Sequence, residues 1–343
     1  MGRGYKPPAV PITRRHHLQV FTDALDAQGV SSKSIARRLG LPMWQHGDGN
    51  DWIPLEDTLE ILKEAARVAG DERLGMLVSR TRHPASTTPF GRLVSRCPTL
   101  YSALKTSCQL AKQHTSLAHN WMVDAGDHVW LCRDQYAGMN SGLREHEQYV
   151  IGFYLELIRR TAGPKWQPAE MWVSTPHQPR LEESDDLAEV AIRYDKSHTA
   201  IALPKSILSR PLRSDPPLGY STTIDAEHPL RFTPSADDFA GSLRQILMTL
   251  VKDGTTSLKE VAEIVQLHPR SLQRRLQSTG ATYQEVLDEA RFRVATTLLG
   301  LPGATATEVG YAVGYSSLSS FSRAFRRYAG VSPQQYLHLE AKY

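Results

Sequence analysis

Cysteine is scarce in this chain. Cys97, Cys108 and Cys132 are the 3 cysteines of 343 residues, and none belongs to a Cys-x-x-Cys pair, so neither a disulfide framework nor a structural zinc site is indicated. Reduced, mostly buried thiols are the expectation. Long apolar runs are missing too, since no stretch reaches the roughly 20 apolar residues of a membrane span. Arg14-Arg15 is followed by His16, His17, Gln19 and Asp23 where a twin-arginine leader needs apolar residues, and a cytoplasmic location is therefore expected. No phosphate-cradling glycine loop and no Gly-x-Ser-x-Gly elbow occurs. Ser102-Ala-Leu-Lys105 stands without a partner motif and reads as helix surface, so catalysis and cofactor binding have no residues to rest on. His16-His17, His114 with His119, and His146 between Glu145 and Glu147 lack the spacing of a metal site and read as scattered surface histidines. A net charge of +4 is too small to identify a polyanionic partner.

What is present divides along the chain. Residues 1–17 mix Pro, Gly and basic residues without period and read as a loose arm. Residues 18–214 read as an α+β domain. In its first part Leu18, Phe21 and Leu25, then Ile35 and Leu39, then Leu55, Leu59, Leu62 and Ala66, then Leu74 and Leu77 recur at helical steps, with Gly29, Gly40 and Gly70 as stops. Ser34 to Leu41 looks like the start of a helix-turn-helix, but Pro42 to Asp51 brings no basic helix, and a packing role is preferred. A helix is predicted over 99–114, a hairpin over 117–124 and 128–134 around Ala125-Gly126-Asp127, a helix over 149–158, and short strands over 170–174, 190–194 and 199–203. Prolines without a sustained period make 215–236 a linker, and 237–343 is helical throughout.

The helical region contains a diverged repeat. Glu260-Val261 aligns with Glu308-Val309, Leu272-Gln-Arg-Arg-Leu276 with Phe321-Ser-Arg-Ala-Phe325, and Gln284 with Gln334. Each copy reads as a short helix, a turn and a second helix, over 257–265 and 269–278, then 305–313 and 317–328. Ser257 and Thr305 are N-cap types followed three residues on by Glu260 and Glu308, and Ser316 is positioned to cap the second helix of the second unit. Tyr283, Val286, Leu287, Ala290, Val294 and Leu298 space a connecting helix able to hold the two units at fixed separation.

Charge placement supplies what the global count withholds. Arg270, Arg274 and Arg275 lie on one second helix and Arg323, Arg326 and Arg327 on the other, and neither helix carries an acid. Gln273 and Gln277 on the first, and Ser317, Ser319, Ser320 and Ser322 on the second, add donors for base edges and phosphate oxygens. One such helix reads as the solvated face of a bundle; two within repeated units read as a nucleic-acid interface. Arg327, nearer its helix end, is the expected phosphate contact.

The stretch from about Asp238 to Leu337 resembles the DNA-binding domain of the AraC/XylS family of transcription regulators. Ser271-Leu-Gln-Arg-Arg-Leu276, Val309-Gly-Tyr-Ala-Val-Gly-Tyr-Ser316, Phe321-Ser-Arg-Ala-Phe-Arg-Arg-Tyr328 and Gly330-Val-Ser-Pro-Gln-Gln-Tyr336 carry the likeness. The resemblance implies that Arg270, Gln273 and Arg274, and then Ser319, Ser320 and Arg323, face bases. His268-Pro269 departs from the pattern, in which a small capping residue is usual. The preceding part more weakly resembles the effector domain of the branch that includes ornithine-utilisation and virulence regulators, through Trp52-Ile-Pro-Leu55, Gly70-Asp-Glu-Arg-Leu-Gly75, Phe90-Gly-Arg-Leu and Thr99-Leu-Tyr-Ser-Ala-Leu104. That branch is distinct from regulators with a cupin-like sugar pocket. It implies a small-molecule sensor that also dimerises.

The expected architecture is an α+β N-terminal sensor domain followed by an all-α C-terminal domain with two helix-turn-helix units joined by a linker helix. The expected partners are double-stranded promoter DNA, RNA polymerase, a small-molecule effector and a second copy bound through the N-terminal domain, with no cofactor and no membrane. An effector-responsive activator is the main reading; a ligand-independent dimeric regulator and an enzyme fused to a DNA-targeting module are the alternatives. For the effector, Trp121, Trp130, Tyr136, Tyr149, Phe153 and Trp172, with Arg144 and His146 nearby, are candidates, although core is the preferred role for most of the aromatic residues.

Overall fold

Helices form wherever apolar residues recur at three- and four-residue steps, and strands where β-branched and aromatic residues alternate. The computed structural model describes residues 8–41, 48–81, 88–134, 136, 139, 141–182, 187–212 and 233–340. The chain divides into two units. The described residues up to Ile12, from Leu41 to Pro54 and from Ser235 onward form one, and Thr13–Gly40 with Leu55–Pro234 form the other.

The order begins β1 (Ile12–Arg14), α1 (Arg15–Ala27), α2 (Ser32–Arg38), β2 (Trp52–Pro54), α3 (Leu55–Ala69), α4 (Leu74–Thr81), α5 (Pro89–Ser95) and α6 (Leu100–His114). It continues β3 (Asn120–Ala125), β4 (His128–Asp134), α7 (Leu143–Ala162), β5 (Glu170–Trp172), α8 (Pro179–Glu182), β6 (Ala191–Arg193), β7 (His198–Pro204) and α9 (Lys205–Leu208). β1 and β2 pair as a two-stranded sheet; the other strands form one five-stranded sheet in the order β3-β4-β7-β5-β6, antiparallel except for β5 with β6. This is the α+β domain expected, and its described strands make a sheet rather than a barrel.

One face of that sheet is core. Leu131, Met171 and Ile201 share it and cluster with Leu100 and Leu104 of α6 and Ile151, Leu155 and Ile158 of α7, all nearly or wholly inaccessible. α7 starts at Leu143, earlier than the 149–158 helix predicted, because its first turns bury polar residues that break the apolar period. Glu147 is one of them, 4% exposed, and accepts from Ser174 N at 2.8 Å, Ser174 Oγ at 2.7 Å, Thr175 N at 3.1 Å and the Thr175 and Thr199 hydroxyls. A buried carboxylate so surrounded is tolerated because donors replace its water.

The other unit holds α10 (Phe239–Lys252), α11 (Leu258–Ile264), α12 (Pro269–Ser278), α13 (Tyr283–Leu299), α14 (Ala306–Ala312), α15 (Leu318–Ala329) and α16 (Pro333–Glu340). It also recruits residues from the start of the chain. Val10 N donates to Ser242 Oγ at 2.9 Å, Thr249 Oγ1 donates to Trp52 O at 2.9 Å, and Lys252 Nζ meets Asp51 Oδ1 at 2.5 Å. Boundaries drawn at 18–214 and 237–343 therefore divide segments that the fold keeps together. The arm expected at 1–17 is built into the structure from Val10 on, with Val10, Ile12, Thr13, Arg14, His16 and His17 buried. Hydrogen bonding, not an apolar period, holds it there. The linker expected at 215–236 lies mostly outside the described residues.

α4 and α7 cross at glycines. A Cβ on Gly75 would stand 2.0 Å from Glu145 O, and one on Gly152 1.9 Å from Ser79 Oγ. Gly152→Ala should lower the unfolding free energy by about 1–3 kcal/mol through overpacking. Urea titration of Gly152→Ala, Ser79→Gly and the double variant checks the contact: the double should lose less than the two singles combined, and additive losses would contradict it.

Candidate functional site

The repeat folds as two helix-turn-helix units, α11–α12 and α14–α15. Ser257 Oγ accepts from Glu260 N at 3.2 Å and Thr305 Oγ1 from Glu308 N at 3.2 Å, so both first helices start at the expected caps. The full reciprocal capping box forms at Thr282 and Glu285, at the start of α13. Each turn passes through the left-handed region, at Gln266 (φ 52°) in the first unit and Gly314 (φ 85°) in the second. His268 caps α12 with its ring, Nδ1 accepting from Arg270 N at 3.3 Å, which accommodates the departure at His268-Pro269. The cap of α15 is Ser317 rather than Ser316, its Oγ accepting from Ser320 N at 3.3 Å.

These starts fix which side chains point outward. α12 buries Leu272 and Leu276 and exposes Arg270, Gln273, Arg274 and Gln277 on the opposite face. Arg275 lies elsewhere, its guanidinium 5.6 Å from the Phe239 ring centroid on α10. α15 buries Phe321 and Phe325, exposes Ser319, Arg323, Arg326 and Arg327, and leaves Ser320 and Ser322 half-buried. Ser322, Arg323, Arg326 and Arg327 line a basic surface hollow. Ser317 and Ser320 are occupied locally, their hydroxyls 3.0 Å apart. Among the described residues Arg270, Arg274, Arg323 and Arg326 have no carboxylate partner. Arg327 does, its Nη2 donating to Asp288 Oδ2 at 2.7 Å. Arg326, not among the sequence's site candidates, is exposed on the hollow and has no carboxylate partner among the described residues.

α13 grips both units. Tyr283 Oη donates to Thr256 O at 2.9 Å ahead of the first. Toward the second, Phe292 packs on Phe325 (5.1 Å between centroids) and stacks on Tyr328 (5.2 Å), while the Arg291 guanidinium lies 5.0 Å from the Tyr315 ring centroid.

In the α+β unit a cavity of about 50 Å³ opens between α1, α5, α6, α7 and the start of the sheet. Of the aromatic candidates, Tyr136, Tyr149 and Phe153 line it; Trp121, Trp130 and Arg144 do not. Register explains the split: Trp121 opposes Cys132, Trp130 opposes Ala202 and Trp172 opposes Ala200, which puts these indoles on the outer face, where Trp130 and Trp172 lie 4.7 Å apart. Arg144 is spent on Glu145 at 2.8 Å.

The surface reading of the histidines fails. His16 Nε2 lies 2.9 Å from His114 Nδ1, and His17 Nδ1 lies 2.7 Å from His114 Nε2. His146 Nε2 reaches Tyr136 Oη at 3.3 Å. His16, His17 and His146 are buried, and His114 is half-buried in the cavity wall. Burial, then the Arg133 charge, pushes His17 down to about 3 and likewise lowers His146; burial and the neighbouring histidines lower His114. Only His119 is exposed as expected, paired with Asp134 at 2.9 Å.

Paired helix-turn-helix units whose second helices each expose arginines without a carboxylate partner among the described residues, in a chain that also holds an α+β unit with a cavity, define the class of DNA-binding transcription regulators. The family described as the arabinose-binding domain of AraC transcription regulators, N-terminal, matches residues 29–212, and a helix-turn-helix domain family matches residues 261–338. The chain belongs to the AraC family of transcription regulators. It is similar to the HTH-type transcriptional regulator VirS of Mycobacterium tuberculosis, 26% identical over 336 residues, which cover 95% of this chain and 96% of VirS. An uncharacterised HTH-type regulator of the same organism is 43% identical over 77 residues, a stretch spanning 22% of each chain. The ornithine utilization regulator of Pseudomonas aeruginosa is 28% identical over 148 residues, 43% of each. No helix among the described residues is long and apolar enough to cross a membrane.

The histidine cluster sets a pH dependence. An unfolded histidine binds its proton below its ordinary value near 6.5, whereas folded His17 does so only near 3, so the folded state loses ground as pH falls between those values. The expected slope for His17 is about 1.4 kcal/mol per pH unit in that window. Urea unfolding at pH 7.5, 6.0 and 5.0 should show stability falling with pH, less steeply in His17→Gln. Equal stability at pH 7.5 and 5.0 would contradict the buried, neutral cluster.

Proposed function

We propose that this chain is an effector-responsive transcription activator that reads a bipartite, non-palindromic promoter site with one polypeptide, α12 in one major-groove segment and α15 in the next. The observation that carries this reading is the set of arginines left without carboxylates, Arg270 and Arg274 on one exposed helix and Arg323 and Arg326 on the other, while Arg244, Arg293 and Arg327 of the same unit are ion-paired. Unpaired guanidinium groups lose little water-mediated partnership on meeting guanine edges or phosphates, and gain bidentate hydrogen bonds. Gln273, Gln277 and Ser319 stand beside them on the exposed faces. Ser317 and Ser320 act mainly by shaping the start of α15.

The effector enters at the α+β unit, where Tyr136, Tyr149 and Phe153 line the cavity, and it acts by binding one state of the chain better than another. Family likeness supports the remaining parts of the reading: self-association through the N-terminal domain, an encounter with RNA polymerase at the promoter, and residence in the cytoplasm.

Binding to duplex DNA should weaken steeply with salt, each neutralised phosphate adding about −0.9 to the log–log slope. A titration by fluorescence anisotropy with wild type, Arg326→Ala and Arg327→Ala tests the assignment. Arg326→Ala should make the slope shallower by about one contact. Arg327→Ala should leave the slope unchanged, because that guanidinium already serves Asp288. A slope near zero in the wild type would overturn the DNA-binding reading.

A further inference from the structure

The wall of the cavity carries one fixed charge among the described residues. Arg133 on β4 is half-buried, its guanidinium 4.6 Å from the Tyr136 ring centroid, with no carboxylate partner among the described residues, and none of the lining residues is an acid. The histidines beside it are held neutral by burial and so do not share the charge with it. A cation half-removed from water and left without an anion is costly, and an anionic ligand would relieve that cost.

Two lining residues also hold buried polar atoms with no hydrogen-bond partner, His17 Nε2 and Asn120 Oδ1. The Asn120 orientation follows from a chain of donors. Ser107 Oγ donates to Leu104 O at 3.0 Å, so the Tyr154 hydroxyl, 3.1 Å away, donates to Ser107, and Asn120 Nδ2 donates to Tyr154 Oη at 2.9 Å. What remains is Asn120 Oδ1, an acceptor that asks for a donor. Asn120 and Arg133 are direct cross-strand partners on β3 and β4, so their side chains leave the same face of the sheet side by side. The anion and the donor of a ligand must therefore be neighbours on its skeleton. An ammonium donor would sit against Arg133, which leaves a hydroxyl.

Phe90, Ala111, Ala118, Val150 and Phe153 make much of the remaining wall apolar, so the body of the ligand is apolar. A cavity of about 50 Å³ has room for roughly four waters, or a whole ligand of roughly six to eight heavy atoms.

We infer that the cavity takes a small 2-hydroxycarboxylate with a short branched or cyclic apolar body, its carboxylate on Arg133 and its hydroxyl donating to Asn120 Oδ1. This rests on the effector-responsive reading and names the chemical class of the effector.

The test is calorimetry and thermal shift on the full chain with 2-hydroxy-3-methylbutanoate and near-isosteres: its amide, 3-methylbutanoate, valine, and arabinose as a neutral polyol. The hydroxy acid should bind at least tenfold more tightly than each of the others, and Arg133→Gln should lose at least tenfold of that affinity. Equal binding of the amide or of valine, or retention in Arg133→Gln, would overturn the assignment. So would silence of the wild type toward the whole panel. Since the isosteres are compared on wild-type protein, the result stands even if Arg133→Gln folds poorly. Binding of arabinose alone would overturn the hydroxy-acid assignment and leave an effector-responsive regulator standing. Arg133-dependent binding of the hydroxy acid with no change in DNA affinity would support the assignment and overturn the effector-responsive reading.

Discussion

The separation of the two exposed helices depends on α13. A surface ion pair such as Arg327 with Asp288 contributes little by itself, about 1 kcal/mol at most. The aromatic seam of Phe292 with Phe325 and Tyr328, and the Tyr283 bond to Thr256, remove ring surface from water and satisfy a phenol, and they hold the angle as well as the distance. A second helix docked by a rigid connector binds as an intramolecular event, so two individually weak readers gain affinity without any new contact, provided their spacing matches the duplex. Every other feature of the helical unit, from the caps at Ser257 and Thr305 to the left-handed turns at Gln266 and Gly314, orients side chains within that frame.

The α+β unit is organised around a different constraint, the burial of polar groups. Glu147 ties α7 to the strands through backbone and hydroxyl donors, and the imidazoles of His16 and His17 each meet a ring nitrogen of His114. Buried polar networks of this kind specify geometry more than they add stability. A ligand that completes such a network, by answering Asn120 Oδ1 or the Arg133 charge, changes the free energy of the state that holds it. This is the differential binding that an effector requires.

Much of the helical unit was legible because its signals are local. N-cap residues, the acid three positions on, Pro269 at a helix start and the arginine rows all act within one or two turns, and the helix ends fell within a residue or two of their expected places. The cap of α15 is the extended Ser317 (φ −152°, ψ 146°), one residue after the expected Ser316, and adjacent serines look alike in the sequence. In the α+β unit the hairpin and the short strands were visible from alternation, while the histidine cluster was hidden. His16 and His114 are far apart in sequence, and only their packing makes them partners. The split of the aromatic candidates into cavity wall and outer sheet face required the strand register, since a one-residue change moves a side chain to the opposite face. Arg144 and Arg133 each precede an acid in the sequence; the fold pairs Arg144 with Glu145 but turns Asp134 to His119 and leaves the Arg133 guanidinium against the Tyr136 ring.

That each helix-turn-helix unit reads its own half of one site is the central claim, and in-vitro selection of bound duplexes tests it directly. Arg274 and Arg323 hold equivalent places in the aligned units, and each guanidinium is exposed without a carboxylate partner among the described residues. Selection with wild type, Arg274→Ala and Arg323→Ala should yield a bipartite motif with halves about one helical turn apart, each variant losing preference in one half only, at a cost of about 1–3 kcal/mol in specific binding. Loss of preference at the same base positions in both variants, or no change in either, would contradict the account.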